Sequence, residues 1–296
     1  MRFFVSSTRA ELERKEDASM NLSLSCRIAE GFLSKREAIM DLAELCHLAV
    51  QAPFDSICMR ASQLGIAHTV DETEKAANHI HRSGLAVSMV SGDFDIVYNN
   101  DRGPRCLQDI TPYLDLAERL DTQLIRVCIK HEDDLKAAQK AADEAKERQI
   151  SLVHQCHVQS LFETVDQIES CLRRISRSNF GLIYEAANLE QCRQDYGRKT
   201  IRRLAPWIKN VYLQNQIIRS EGALTLGTWT NGPVSLDNIG MTEPGGIDFG
   251  LIFSALKEVC YDGIFTVHQS APEDGSSPME VATRTSQHLR SLLSLK

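Results

Sequence analysis

Five short apolar runs in this sequence end in residues that can do chemistry. Leu152-Val153 leads into His154-Gln155-Cys156-His157, and Leu182-Ile183-Tyr184 into Glu185 and then Ala186-Ala187-Asn188. Val211-Tyr212-Leu213 leads into Gln214-Asn215, Phe265-Thr266-Val267 into His268-Gln269, and Val127-Cys128-Ile129 into Lys130-His131. A carboxylate can take or give a proton, an imidazole does so near neutral pH, and amides bind oxygen-rich ligands. Brought to one rim, these ends make a polar, partly charged mouth with enough hydrogen-bonding groups for a sugar-sized polyol. Glu185 and His268 are the candidate catalytic pair, with His268 serving either as a ligand or as a general base. Ser/His/Asp nucleophile patterns and zinc spacings are absent.

The elements that must position these residues alternate along the chain. Short β-rich runs cover Asn21 to Cys26, Ser56 to Met59, Leu85 to Val90, Leu124 to Ile129, Ile150 to Gln155, Phe180 to Glu185, Asn210 to Gln214 and Gly263 to His268. Helical stretches lie between them. The apolar face of Ile39, Leu42, Leu45, Cys46 and Ala49 predicts a helix from Lys35 to Gln51. Thr69 and Glu72 have capping-box spacing, and Gly84 is a helix-stopping residue. Further helices are expected over Glu132 to Gln149 and Phe249 to Val259. Strands that are nearly continuously apolar are those buried on both faces of a parallel sheet. Eight of them in βα alternation predict a closed (β/α)8 TIM barrel, in which strand-terminal polar residues line the C-terminal mouth. The turn Ser25-Cys26-Arg27-Ile28 lacks the glycines of a dinucleotide-binding fold.

Two long loops, 91–112 and 215–246, follow the third and seventh strands and are expected to shape the pocket. Trp229, in the second, either stacks on a sugar face or packs on the barrel. Arg60 and Lys130 end the second and fourth strands and either bind substrate oxygens or form salt bridges at the rim. His154 and Gln155 point to opposite sides of their strand, so at most one looks into the barrel. His47, His79, His81 and His288 fall in helical stretches and read as structural.

The strand ends also carry a resemblance. Gln155-Cys156-His157 with Leu161 and Thr164 resembles a Glu-x-His motif followed by Leu and Thr. Tyr184-Glu185-Ala186-Ala187-Asn188-Leu189 resembles Tyr-Asp-Pro-Ala-Asn-Leu, and Tyr212-Leu213-Gln214 resembles His-x-His or His-x-Gln. Gly246-Ile247-Asp248-Phe249, Ala255-Leu256 and Tyr261 to His268 resemble a closing stretch whose last strand ends in Glu. Together, from about Asn21 to Ser270, the chain resembles the sugar phosphate isomerase/epimerase family of xylose isomerase-like TIM barrels, which includes AP endonuclease family 2. The resemblance implies a divalent metal (Mn, Mg, Zn or similar) at the mouth. The matching ligand positions are Gln155, Glu185, Gln214 and His268. His157, Arg60, Lys130, Asn188, Tyr212 and Trp229 are the candidate substrate-binding residues.

The chain departs from that pattern where it matters most. Of three family carboxylates only Glu185 remains, and Gln155 cannot abstract a proton. The ligand charge falls from about −3 to about −1, which weakens a hard cation. The expected activity is a sugar, keto-sugar or polyol isomerase or epimerase that abstracts a proton beside a carbonyl. The alternatives are a lyase or dehydratase using one base, and a non-catalytic sugar-binding relative without its metal. Homo-oligomers are frequent among similar proteins, and no stretch here marks an interface.

Bulk composition narrows the partners. The net charge of −7 and the lack of an isolated basic stretch argue against nucleic acid. No apolar run approaches the roughly 20 residues that span a bilayer. Nine scattered cysteines, odd in number and without a CxxC pair, read as buried free thiols of a reducing, cytoplasmic compartment. Residues 1–19, with the charged run Arg9 to Asp17, are read as an N-terminal extension and 20–296 as the barrel domain.

Overall fold

Each short apolar run becomes one stave of a barrel. In the computed structural model, which describes residues 21–31, 37–92, 102–272 and 275–294, eight parallel strands close in the order β1-β11-β7-β6-β5-β4-β3-β2. The expected extension at 1–19 and the centre of the 91–112 loop lie outside the described residues. β1 (Leu22–Ser25) is followed by a 3₁₀ turn, Cys26–Ala29, and α1 (Leu42–Gln51) leads to β2 (Ser56–Met59). α2 (Val70–Arg82) leads to β3 (Ala86–Ser91), then α3 (Arg105–Gln108) and α4 (Thr111–Arg119) to β4 (Leu124–Val127). α5 (Asp134–Glu147) leads to β5 (Ser151–Gln155) and α6 (Val165–Ile175) to β6 (Phe180–Glu185). α7 (Ala186–Gln191) and α8 (Arg198–Leu204) precede β7 (Ile208–Leu213).

Local chemistry sets several of these boundaries. Thr69 and Glu72 form the expected reciprocal cap at the start of α2, and Gly84 takes φ +80° just after its end. The first helix begins at Leu42, later than the apolar periodicity predicts. Asp41 accepts from the Glu44 amide while the Glu44 side chain accepts from the Asp41 amide, and this cap fixes the start. Asp134 accepts from the backbone amides of Lys130 and His131, tying the end of β4 to the start of α5.

The segment after β7 is not the plain loop expected for 215–246. It folds into an antiparallel sheet of β8 (Gln216–Arg219), β9 (Leu224–Thr228) and β10 (Gly232–Asn238), in the order β8-β10-β9. Trp229-Thr230-Asn231 is a three-residue hairpin loop, and Gly232 at φ +73° closes it, a conformation glycine adopts without steric cost. α9 (Phe249–Glu258) then leads to β11 (Ile264–Val267), and α10 (Pro278–Ser294) packs against α1.

Alternation along the strands separates two cores. One continuous apolar layer lies between strands and helices, including Leu24, Ile57, Leu152, Tyr184 and Val211. A second, smaller cluster holds Cys58, Met89, Leu124, Val153, Ile183 and Tyr212. Its members come from strands around the ring and fill the barrel interior. All nine cysteines are free thiols, and all but Cys260 are buried. Among the described residues no helix is long and apolar enough to cross a membrane.

Candidate active site at the barrel mouth

The interior cluster sets the phase of every strand end. Val153, Ile183 and Tyr212 face inward, so Gln155, Glu185 and Gln214, two residues on, face inward too, one level nearer the mouth. The same count from Cys58 brings Arg60 inward, and from Leu124 it brings Arg126, then Cys128 and Lys130. His154 falls on the other side, where it packs on Phe162 at 4.5 Å and its Nδ1 lies 3.1 Å from the Val127 carbonyl. The choice between His154 and Gln155 therefore goes to Gln155.

Glu185 is the centre of the arrangement. It is fully buried, and one carboxylate oxygen, Oε2, accepts from the Gln155 side-chain amide and, at 2.5 Å, from that of Asn188. The register explains the first contact: Gln155 pairs with Ile183, and its side chain reaches forward along the barrel to Glu185. The other oxygen, Oε1, accepts no hydrogen bond among the described residues, and neither does Gln155 Oε1. Two acceptor oxygens are thus left at the mouth. Burial raises the Glu185 carboxyl to about 7, opposed by the Gln155 bond, the charge of Arg27, the Asn188 bond and the charge of Arg126.

Gln214 and His268 form a second group across the seam where the barrel closes. Arg27 Nη1 donates to Gln214 Oε1 at 2.9 Å and to the His268 carbonyl at 3.2 Å. Gln214 Nε2 donates to Asn238 Oδ1 on β10 at 3.1 Å. The His268 ring stacks on Tyr212 with centroids 4.2 Å apart, and its Nδ1 lies 3.2 Å from Ser25 Oγ. Burial, then the charge of Arg60, lowers the Arg27 guanidinium, while Glu185 and Glu30 act against them. Arg60 itself is paired with buried Glu30 at 2.8 Å.

The other expected substrate contacts divide. Asn188 touches Glu185 directly, and Tyr212 holds the face of His268. Lys130 lies with its ammonium 5.8 Å from the Trp229 ring, which also stacks on His131 at 5.6 Å. Trp229 is about half exposed and sits over the β4 side of the rim, away from the hydrogen bonds around Glu185. His157 turns its Nδ1 to the Val158 carbonyl at 2.8 Å. A cleft of about 420 Å³ opens beside the mouth between the extra sheet and the segment after β11, lined by Gln214, Asn238, Asp237, Gln269 and Arg284 among others.

Sequence reading missed three charged residues here: Arg27, Glu30 and Arg126. Arg126 carried a signal, a cation in the middle of the apolar run Leu124-Ile125-Arg126-Val127, and it is 2% exposed. Arg27 and Glu30 carried none, because they follow β1 in irregular backbone whose direction no periodicity predicts.

No protein-family model matches the chain, and no curated protein matches it. Solved structures do. A xylose isomerase-like TIM barrel protein from Mycobacterium smegmatis in complex with magnesium is 15% identical, with a TM-score of 0.66 over 93% of this chain and 97% of its own. D-Psicose 3-epimerase with D-tagatose from Clostridium cellulolyticum H10 is 13% identical, with a TM-score of 0.70 over 93% and 100%. The probable 3-DHS dehydratase AsbF from Bacillus anthracis is 15% identical, with a TM-score of 0.67 over 91% and 98%. The fold is that of the xylose isomerase-like TIM barrels, and its solved neighbours include sugar epimerases, a dehydratase and a magnesium-bound protein.

Proposed function

We propose that the chain is an enzyme that moves a proton beside the carbonyl of a small keto-sugar or polyol-derived substrate, an isomerase or epimerase in outcome. The observation that carries this reading is Glu185. Its carboxylate is fixed by two amides through one oxygen, and the other oxygen, itself buried, is left without a hydrogen-bond partner among the described residues. A base with a value near neutrality is matched to removing a weakly acidic C–H proton. His268, held by Tyr212 and Ser25, serves as the second acid or base. Gln155 and Asn188 orient Glu185 and offer hydrogen bonds to hydroxyls, with Tyr212 backing His268. His157, Arg60, Lys130 and Trp229 are assigned to more distant parts of the ligand. Epimerase and dehydratase neighbours are in keeping with proton abstraction as the shared step.

A second reading, a lyase or dehydratase using one base, is favoured by a specific feature. Gln155 stands where a second carboxylate would be needed for two-base chemistry, leaving Glu185 without a carboxylate opposite it.

The metal suggested by the family resemblance does not suit the residues in their present arrangement. Divalent oxygen-seeking ions favour several anionic ligands, and this set has one. Gln214 Oε1 is already held by a guanidinium, and Arg27 offsets the single negative charge of Glu185. Among the described residues no group of three or more His, Cys, Asp or Glu is placed to hold a metal ion. No step proposed here passes through one.

The test is exchange of substrate carbon-bound hydrogen with solvent. Incubation in D₂O with a panel of ketoses, hydroxy-ketones and polyhydroxy keto-acids, followed by NMR, should show deuterium entering beside the carbonyl of at least one compound. Glu185→Gln should slow that exchange by about 10²-fold or more. Exchange unaffected by Glu185→Gln, or none with any compound, would count against the assignment.

A further inference from the structure

We propose that Arg27 is the electrophile of this barrel, its guanidinium taking the place and the role of a divalent cation at the mouth. The inference rests on the proton transfer proposed above. Arg27 leaves β1 on the 3₁₀ turn, and β1 neighbours β11, which neighbours β7. That order lets one side chain reach Gln214 after β7 and the His268 carbonyl after β11. Its charge also acts on Glu185 at the end of β6. One cation thus bonds the Gln214 side chain and the His268 backbone and acts through its charge on Glu185, reaching three of the four positions that the family resemblance assigned to a metal.

What Arg27 leaves unused matters as much. Both of its hydrogen bonds are made by Nη1 and go to neutral oxygens, and no residue among those described takes Nε or Nη2. Arg60, by contrast, is committed to Glu30. The Nε/Nη2 edge of a guanidinium is a planar fork that fits two oxygens on neighbouring atoms, as in a carboxylate or a cis-enediolate. Ser25 holds the turn in place. Its Oγ accepts from the Arg27 amide at 3.3 Å and faces His268 Nδ1.

The step needs no other reagent. Glu185 takes the proton from the carbon beside the carbonyl. The C–H pair becomes the new C=C bond, and the carbonyl π pair moves onto oxygen, where Arg27 holds the charge. The proton then returns from Glu185 to the former carbonyl carbon. The hydroxyl proton of the first carbon passes through His268 to the oxygen held by Arg27, and the oxygen of the first carbon becomes the new carbonyl, so the chain ends as it began.

Because a second cation is disfavoured beside the first, metal binding tests the idea without a substrate. Chelator-stripped full-length protein is titrated with Mn²⁺ and read by electron paramagnetic resonance. Wild type should leave Mn²⁺ unbound at about 1 mM. Arg27→Met, which frees Gln214 Oε1 and removes the charge, should bind at least tenfold more tightly, and Arg27→Lys should behave as wild type. Stoichiometric uptake by wild type below about 100 µM, or no gain in Arg27→Met, overturns the proposal. Should Arg27→Met not fold, as judged by circular dichroism, the D₂O exchange of wild type in EDTA decides. Exchange within twofold of that without EDTA supports Arg27. Exchange abolished by EDTA and restored by Mn²⁺ refutes Arg27 and leaves the proton transfer standing. If no compound exchanges, the proton transfer falls while the Mn²⁺ titration of wild type, and of Arg27→Lys where it folds, still judges Arg27.

Discussion

Replacing Glu185 by glutamine removes a charge and keeps the shape, so its effect on stability isolates the cost of burying that charge. The side-chain carbonyl of the variant can accept from Gln155 and Asn188 as Oε2 does. In the folded wild type the carboxyl is raised from 4.5 to about 7 by burial. A carboxyl with a raised folded value binds its proton more tightly folded than unfolded. Stability from this group is therefore greatest at low pH and is lost as pH rises from about 4.5 through about 7. Raising the carboxyl from 4.5 to about 7, at about 1.4 kcal/mol per pH unit, is worth about 3.5 kcal/mol in all, and about 2 to 3 kcal/mol of it falls between pH 5 and 8. Urea unfolding of both proteins at pH 5 and pH 8, with chelator present, measures it. The Glu185→Gln protein should gain about 2 to 3 kcal/mol relative to wild type on going to pH 8. A difference between the two proteins that stays within about 0.5 kcal/mol across that range would refute a Glu185 carboxyl raised by burial.

Two further substitutions test how the extra sheet is held over the mouth. Buried Glu163 accepts from the backbone amides of Gln159, Trp229 and Thr230 and from the Thr230 hydroxyl, at 2.6 to 2.8 Å. Glu163→Ala should cost about 2 to 4 kcal/mol in urea unfolding and speed proteolytic cleavage near Trp229-Thr230-Asn231, whereas an unchanged cleavage rate would mean the hairpin is held by other contacts. A Cβ on Gly246 would collide with the Asn215 side chain, which bonds Gly240, Gln216, Glu243 and Ile247. Gly246→Ala should therefore destabilise by about 1 to 3 kcal/mol, measured by the same unfolding, and a neutral result would show that Asn215 can move aside freely.

The sequence by itself determined the barrel. Its eight apolar runs are short, polar at their ends and separated by helical stretches, and parallel strands buried on both faces leave few other arrangements. Because side chains alternate along a strand, the inward phase of Gln155, Glu185, Gln214 and His268 was already implied once the barrel was assumed. Tertiary structure decided the rest. The hydrogen bond from Gln155 to Glu185 depends on register between strands, which a one-dimensional pattern leaves open. Arg27 joins Gln214 and His268 across 187 and 241 residues of chain, and only closure of the ring brings the first strand beside the last. The value of the Glu185 carboxyl belongs to the same level. It comes from burial and from charges on other strands, and residue type carries neither.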